Sequence, residues 1–90
     1  MLILEPSTRY KKDVKRIKKS KRLKESELKH VVTTLMNGKP LEAKYLDHKL
    51  SGDWDGYREC HVQNDILLVY KIERIKLLLT RLGTHSNIFG

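Results

Sequence analysis

Three of the four histidines in this 90-residue chain lie in two short segments of its second half. His48 and His61 bound a segment that also holds an arginine and several aromatic residues, and His85 lies near the last residue. Histidine, with an unperturbed pKa of about 6.5, can act as a general acid or base near neutral pH. Arginine carries a permanent charge on a forked donor group that matches two phosphate oxygens. The combination predicts a site that cleaves nucleic acid.

Cleavage of RNA without a metal ion needs only a few such groups. A base removes the proton of the ribose 2′-OH, an acid protonates the departing 5′-oxygen, and positive charge stabilises the crowded phosphate. Aromatic side chains can in addition stack on an unpaired base. The candidate catalytic residues are His48, His61, Asp65, Arg81 and His85. The candidate substrate-binding residues in the same part of the chain are Lys49, Trp54, Arg58 and Phe89.

Zinc coordination and ordinary structural roles are the competing interpretations of the histidines. Three nitrogen ligands and a water molecule can form a catalytic zinc site. The histidines lack the close spacing of zinc ligands on one helix, so the sequence favours a site without metal or other cofactor. Taken singly, each histidine could be a strand, loop or tail residue, and Asp65 could be a turn residue. Cys60 and His30 are expected to be a buried strand residue and a helix-surface residue.

Basic charge is concentrated in the first third of the chain. The formal net charge is +8, and residues 1–30 alone carry eleven lysines and arginines against four acidic residues. Such a surface favours a polyanionic partner, above all nucleic acid. An anionic membrane surface is the alternative, but no apolar run approaches the ~20 residues of a spanning helix. The lack of a signal peptide and the single cysteine favour the cytoplasm.

The basic residues follow a short first strand and lie on a predicted helix. Leu2–Leu4 is apolar and is followed by Pro6, and Ser7 or Thr8 can cap the helix that begins there. Tyr10, Val14 and Ile17 form a narrow apolar stripe at helical spacing. The other positions are mostly basic, which fits either a solvated face or phosphate binding. The candidates for phosphate binding are Lys12, Lys15, Arg16 and Lys19.

The remaining patterns complete one domain that covers residues 1–90. A second helix is predicted over residues 24–37, ending at Gly38, because its apolar positions recur with helical spacing. Residues 57–63, 66–72 and 76–82 are predicted strands separated by two-residue turns, which favours an antiparallel meander. The fold class is therefore α+β with the order β-α-α-β-β-β. We expect a twisted antiparallel sheet with two helices packed on one face.

These segments together resemble the YafQ branch of the RelE/ParE toxin superfamily. The resemblance rests on Leu46–Trp54, Tyr57–Val62, Asp65–Tyr70 and Arg81–Ser86, and it extends over essentially the whole chain. It implies the RelE-like microbial RNase fold and a type II toxin that cuts mRNA in the ribosomal A site. It also implies a monomer when free and a hetero-oligomer with a DinJ-like antitoxin, whose acidic segment covers the site.

The resemblance also carries residue roles. The family's functional histidines fall on His48, His61 and His85, its acidic residue on Asp65 and its C-terminal aromatic residue on Phe89. His85 is then the expected general acid, while His48, His61 and Asp65 share the base and orienting roles. Arg81 corresponds to a basic residue near the scissile phosphate.

One position departs from the pattern, and two other functions stay open. Some relatives have Trp where this chain has Ile66, which weakens any expectation of a base contact there. The alternatives are a non-catalytic RNA- or ribosome-binding protein and a gyrase-inhibiting toxin of the same fold. Neither accounts for the set of three histidines.

Overall fold

The computed structural model describes residues 1–90 and consists of one five-stranded sheet and three α-helices. The strands are β1 (Ile3–Pro6), β2 (His48–Lys49), β3 (Arg58–Gln63), β4 (Ile66–Glu73) and β5 (Lys76–Gly83). The helices are α1 (Thr8–Lys19), α2 (Glu25–Met36) and α3 (His85–Phe89), with 3₁₀ turns at Ala43–Tyr45 and Gly52–Trp54. The α+β class, both long helices and the three C-terminal strands are confirmed. All three α-helices are too short and too polar to span a membrane.

The sheet has the strand order β1-β5-β4-β3-β2. The meander of β3, β4 and β5 is antiparallel, as predicted, and β2 extends it by a short antiparallel pairing with β3. The first strand differs from the prediction, because β1 pairs with β5 in the parallel direction and makes the sheet mixed. A parallel pairing needs a long connection between its strands, and the whole chain between β1 and β5 supplies it.

The first helix begins where the sequence predicted. The Ser7 hydroxyl accepts a hydrogen bond from the Tyr10 backbone N–H at 2.9 Å and donates one to the Thr80 carbonyl, also at 2.9 Å. Tyr10 and Ile17 are buried, as their spacing indicated, whereas the basic positions of α1 are exposed. Asp13 is the exception among the charged residues, because its side chain is fully buried.

The main core lies between the sheet and the two long helices. Val31 and Leu35 of α2 pack with Tyr10 and Ile17 of α1 against the side chains that alternate towards the helices along the strands. Cys60 belongs to this core, and burial raises the pKa of its thiol to about 12. The thiol is therefore protonated at neutral pH, which excludes it as an activated nucleophile.

A smaller cluster covers the opposite face of the sheet, which we call the histidine face. Leu67 and Val69 of β4 and Ile88 of α3 form its buried centre. Leu50, Trp54, Tyr57 and Phe89 pack around them. The loop before β3 and the helix after β5 therefore meet over β4, and this meeting positions the site.

Candidate active site

His48 lies on the histidine face directly opposite Glu59 of the neighbouring strand. Its Nε2 is 2.9 Å from Glu59 Oε2, and its Nδ1 is 2.7 Å from the Leu46 carbonyl oxygen. A carbonyl oxygen can only accept, so Nδ1 carries a proton and donates it. Nε2 and Oε2 lie within hydrogen-bonding distance, so a proton can be held between them or passed from one to the other. The pair can therefore take up or release a proton.

Glu59 is a candidate functional residue that the sequence did not single out. Its side chain is buried, and its other oxygen, Oε1, is buried without a hydrogen-bond partner in the protein. A buried acceptor left unpaired is costly, and in native proteins it usually points to a bound ligand, a water molecule or a catalytic role. The alternation of β3 gives a signal in retrospect, because Glu59 and His61 lie two residues apart and hence on the same face.

His61 lies farther along β3 on that face, at the end of the sheet where α3 begins. It pairs with Leu67 of β4, and Leu67 pairs with Gly83 of β5. With strands about 4.8 Å apart, the backbones of His61 and Gly83 are separated by about 10 Å. His85 follows two residues after Gly83, so His61 and His85 stand on the two sides of β4, with Leu67 between them.

His85 is the first residue of α3, a short helix with a well-formed start. The Thr84 hydroxyl accepts from the Asn87 N–H at 3.1 Å, and the Asn87 side chain accepts from the Thr84 N–H at 3.0 Å. The His85 ring is exposed and lies 5.0 Å from the Phe89 ring, one turn later. The segment after β5, where the sequence left open a simple tail, is a capped helix that presents one histidine to solvent.

Gly83 allows α3 to fold back closely on β5. A Cβ at this position would come within 3.0 Å of Asn87 Cβ and 3.3 Å of an Arg16 guanidinium nitrogen. Both contacts are tighter than most Cβ contacts, so a side chain here would require Asn87 or Arg16 to shift. The glycine therefore favours the close approach of α3, and Arg16 of the basic helix lies at the same corner.

Trp54 and Phe89 meet beside His85. The Trp54 ring packs edge-on against the Phe89 ring at 5.7 Å and against the Tyr57 ring at 5.4 Å. Trp54 and Phe89 are partly buried, so each contributes to the small cluster and keeps some accessible surface. Core packing and the predicted base stacking are both compatible with this arrangement.

Arg81 is turned away from solvent, in contrast to the expectation that it reaches the phosphate. Its Nε donates to Asp13 Oδ2 at 2.8 Å, and the Leu82 N–H donates to the same oxygen at 3.0 Å. Burial alone would raise the pKa of the Asp13 carboxyl, but these hydrogen bonds and the guanidinium charge outweigh burial and lower it. Arg81 also donates to the Asn87 carbonyl at 3.3 Å. It joins β5, α1 and α3 from inside.

Lys49 and Arg58 lie on the helix side of the sheet, not with the histidines. They pair with each other across β2 and β3, one position out of phase with His48 and Glu59. The Arg58 guanidinium donates twice to Asp47, at 3.3 Å each, and these hydrogen bonds raise the pKa of Arg58. Tyr70 donates to the same carboxylate at 2.7 Å. The strand alternation therefore separates these two cations from the candidate site.

Asp65 occupies the turn between β3 and β4, and its carboxylate forms an ion pair with Arg22. His61 and Asp65 line one pocket at this end of the sheet. His61 therefore lies across β4 from His85, and it lines the pocket together with Asp65 beyond the turn. His48 faces the same side, one pairing farther along. No group of three His, Cys, Asp or Glu side chains is arranged to hold a metal ion.

The candidate phosphate-binding residues of α1 lie beside the candidate active site. All four candidates are exposed, and their spacing puts them on one stripe of the helix. They are Lys12, Lys15, Arg16 and Lys19. Arg16 also pairs with Asp13 at 3.2 Å. The stripe therefore runs to the corner formed by Gly83 and α3, beside His85.

Comparison with known proteins agrees with this fold. The family described as "Bacterial toxin of type II toxin-antitoxin system, YafQ" matches residues 2–90. The class is thus a bacterial toxin of a type II toxin–antitoxin system. The mRNA interferase toxin YafQ of Escherichia coli K12 is 45% identical over 89 residues, which cover 97% of this chain and 95% of that one. The chain belongs to the YafQ toxin family.

Two solved structures show the same fold over the whole chain. A chain of the E. coli DinJ–YafQ toxin–antitoxin complex superposes with a TM-score of 0.88 at 42% identity, covering 99% of this chain and 98% of that one. A metal-bound toxin from Helicobacter pylori superposes with a TM-score of 0.92 at 42% identity, covering 99% and 100%.

Proposed function

We propose that the protein is a toxin that inhibits translation as an endoribonuclease cutting mRNA. The observation that carries this proposal is the set of three histidines on the face of the sheet that the long helices leave uncovered. Two of them flank β4, and the third lies within hydrogen-bonding distance of a buried carboxylate. The name of the E. coli relative, an mRNA interferase, agrees with it.

The reaction is metal-independent attack by the ribose 2′-OH on the adjoining phosphate. The 2′-oxygen forms a bond to phosphorus, the bond from phosphorus to the 5′-oxygen breaks, and a 2′,3′-cyclic phosphate and a free 5′-OH result. His85, exposed at the start of α3, gives its proton to the departing 5′-oxygen. His48 with Glu59 accepts the proton of the 2′-OH, and His61 with Asp65 orients the ribose and phosphate.

Arg81 acts through α3 and not on the phosphate. Its guanidinium is committed to Asp13 and to the Asn87 carbonyl, so it fixes the helix that carries His85 and Phe89. Arg16, at the same corner and half exposed, is better placed to contribute positive charge to an incoming backbone. The rest of the basic stripe gathers RNA, because each lysine that meets a phosphate releases counterions.

Cleavage takes place in the cytoplasm, in the ribosomal A site. A DinJ-like antitoxin suppresses it. The E. coli complex of DinJ with YafQ supports this choice of partner. A chain with a net charge of +8 should pair with an acidic segment. Covering the histidine face would block the site without altering the fold.

His85→Ala tests the proposal, with His30→Ala as the matched control. His30 lies on the surface of α2 and pairs with Glu42 at 2.8 Å, on the helix side of the molecule. We expect His85→Ala to reduce cleavage of a defined message about 10²–10⁴-fold, the usual contribution of a general acid. His30→Ala should cleave like the parent protein.

Cleavage sites are mapped with ribosomes present and absent, and the reaction without ribosomes is repeated with EDTA. Undiminished cleavage by His85→Ala would contradict the assignment of the general acid. RNA binding without cleavage by the parent protein would favour the non-catalytic alternative. Sensitivity to EDTA of the cleavage measured without ribosomes would contradict the metal-independent reaction.

A further inference from the structure

A polar pocket of about 700 Å³ opens at the end of β3, between the β3–β4 turn, the start of α2 and the 3₁₀ turn at Ala43–Tyr45. Small-molecule sites in proteins span ~300–1,000 Å³, so this space can hold a nucleotide. His61 and Asp65 form part of its wall. The rest of its lining has no role in the reaction described above.

The wall of the pocket is held in place by a side chain that bridges two loops. The Gln63 amide oxygen accepts from the Lys24 N–H at 2.8 Å, and its amide nitrogen donates to the Arg22 carbonyl, also at 2.8 Å. The ion pair of Arg22 with Asp65 adds a third link. The connection between α1 and α2 is therefore tied to the β3–β4 turn, which preorganises the pocket.

Two lysines without ion-pair partners lie on the pocket wall. Lys24 and Lys44 form no salt bridge, although Lys44 lies 5.1 Å from the centre of the Tyr45 ring. The one unpaired carboxylate beside them is Glu27, which accepts the Tyr45 hydroxyl at 2.7 Å. That hydrogen bond, more than the two lysines, lowers the pKa of Glu27. The wall thus carries more positive than negative charge that is free to meet a ligand.

Leu46 joins this pocket to the candidate catalytic face. Its backbone has φ of 50°, in the left-handed region that a leucine rarely adopts, and its side chain is 58% exposed. The same residue's carbonyl accepts the proton of His48 Nδ1. Strained backbone that positions a functional group is a feature of active sites. Here it also leaves an apolar side chain facing the pocket, where a base could lie.

We infer that this pocket binds a nucleotide of the RNA next to the cleaved bond. Lys24 and Lys44 contact backbone phosphates, and the base lies against Leu46. The shared wall at His61 and Asp65 puts that nucleotide directly beside the reacting ribose. This inference rests on the proposed ribonuclease function. An acidic segment of the antitoxin is the other ligand that fits the charge.

The test compares Lys24→Ala/Lys44→Ala with Lys29→Ala/Lys39→Ala. The second pair removes the same charge from exposed lysines of α2 and its following loop, outside the pocket. Binding of a short single-stranded RNA is measured by fluorescence anisotropy over a range of salt, in the cleavage-deficient His85→Ala background. Two lost phosphate contacts should lower the slope of log K against log salt by about 1.4, since each contributes about 0.7.

The control pair should change that slope much less. An equal change in both double variants would mean diffuse attraction and would overturn the pocket assignment. An unchanged slope in Lys24→Ala/Lys44→Ala would overturn the pocket assignment as well. If the same variant also bound the antitoxin more weakly, the pocket would be assigned to the antitoxin. Failure of the parent protein to cleave RNA would contradict the proposed function instead, independently of these binding slopes.

Leu46→Asn and Leu46→Met separate the base contact from the backbone. Asparagine tolerates the left-handed conformation but removes the apolar surface, whereas methionine keeps that surface. We expect Leu46→Asn to raise KM several-fold while kcat stays within about twofold, and Leu46→Met to leave KM nearly unchanged. A fall in kcat with unchanged KM for Leu46→Asn would instead mean that Leu46 acts by holding His48, and would overturn the base contact.

Discussion

Two buried carboxylates of this protein differ in how completely they are paired. Asp13 accepts two hydrogen bonds from Arg81, one from Arg16 and one from the Leu82 N–H, so both of its oxygens are satisfied. Glu59 has one oxygen on His48 and leaves the other buried and unpaired. The first arrangement joins three elements of the fold. The second keeps an acceptor available, as expected of a group that handles a proton or meets a ligand.

Glu59→Gln should give the largest effect, and it should fall on activity. Glutamine keeps the shape but cannot take up a proton, so the His48 pair loses its capacity as a base. We expect cleavage to fall about 10²–10⁴-fold. Stability should change by less than about 1 kcal/mol, because the partner of Glu59, His48, is half exposed and water can solvate it once the carboxylate charge is removed. Single-turnover cleavage measures the effect on activity, and urea unfolding measures the effect on stability. A large loss of stability with full activity would mean that Glu59 has a structural role like that of Asp13.

Asp13→Asn should reduce stability much more than activity. It leaves the buried Arg81 guanidinium without its counter-charge, and removal of one partner of such a pair costs about 3–5 kcal/mol. The free energy of unfolding from urea titration gives this number. Cleavage measured at a temperature where the variant remains folded should fall far less than in Glu59→Gln. A variant as stable as the parent would mean that Asp13 does not anchor the three elements.

The smallest expected effect is the change with pH in the stability difference between the parent protein and Asp13→Asn. The folded-state pKa of Asp13 is lowered, so its pairing stabilises the protein above the unfolded value of about 3.9 and is lost as the pH falls below it. Urea unfolding of the parent and of Asp13→Asn between pH 7 and pH 3 should therefore give curves that converge below about pH 4. Curves that stay parallel throughout would show that Asp13 is not paired as a charged group.

The elements that local pattern determines could be predicted from the sequence. The stripe of α1, the apolar face of α2 and the alternating strands each appear in a short window of residues. The direction of β1 could not be predicted, because it depends on which distant strand it joins. The short helix α3 was missed, although Thr84 and Asn87 carry a capping pattern, because five residues are too few for periodicity.

The types of the site residues could be predicted better than their surroundings. Histidine chemistry indicated His48, His61 and His85, and the fold brings all three to one face or its edge. The charge of Arg81 suggested a phosphate ligand, but its neutralising partner, Asp13, lies 68 residues away and does not appear in any local pattern. Lys49 could not be assigned to a face, because a two-residue strand shows no alternation.

The parallel pairing of β1 with β5 also has a kinetic consequence. The outermost strand at one edge of the sheet comes from the beginning of this domain, and its neighbour ends where α3 begins. Contacts between segments so far apart in sequence form slowly, because the long intervening loop must close first. The contacts of Arg81 that fix α3 depend on closure of the same loop. Chains that are still folding should therefore carry the three histidines without their active arrangement, and toxicity should appear only with the finished fold.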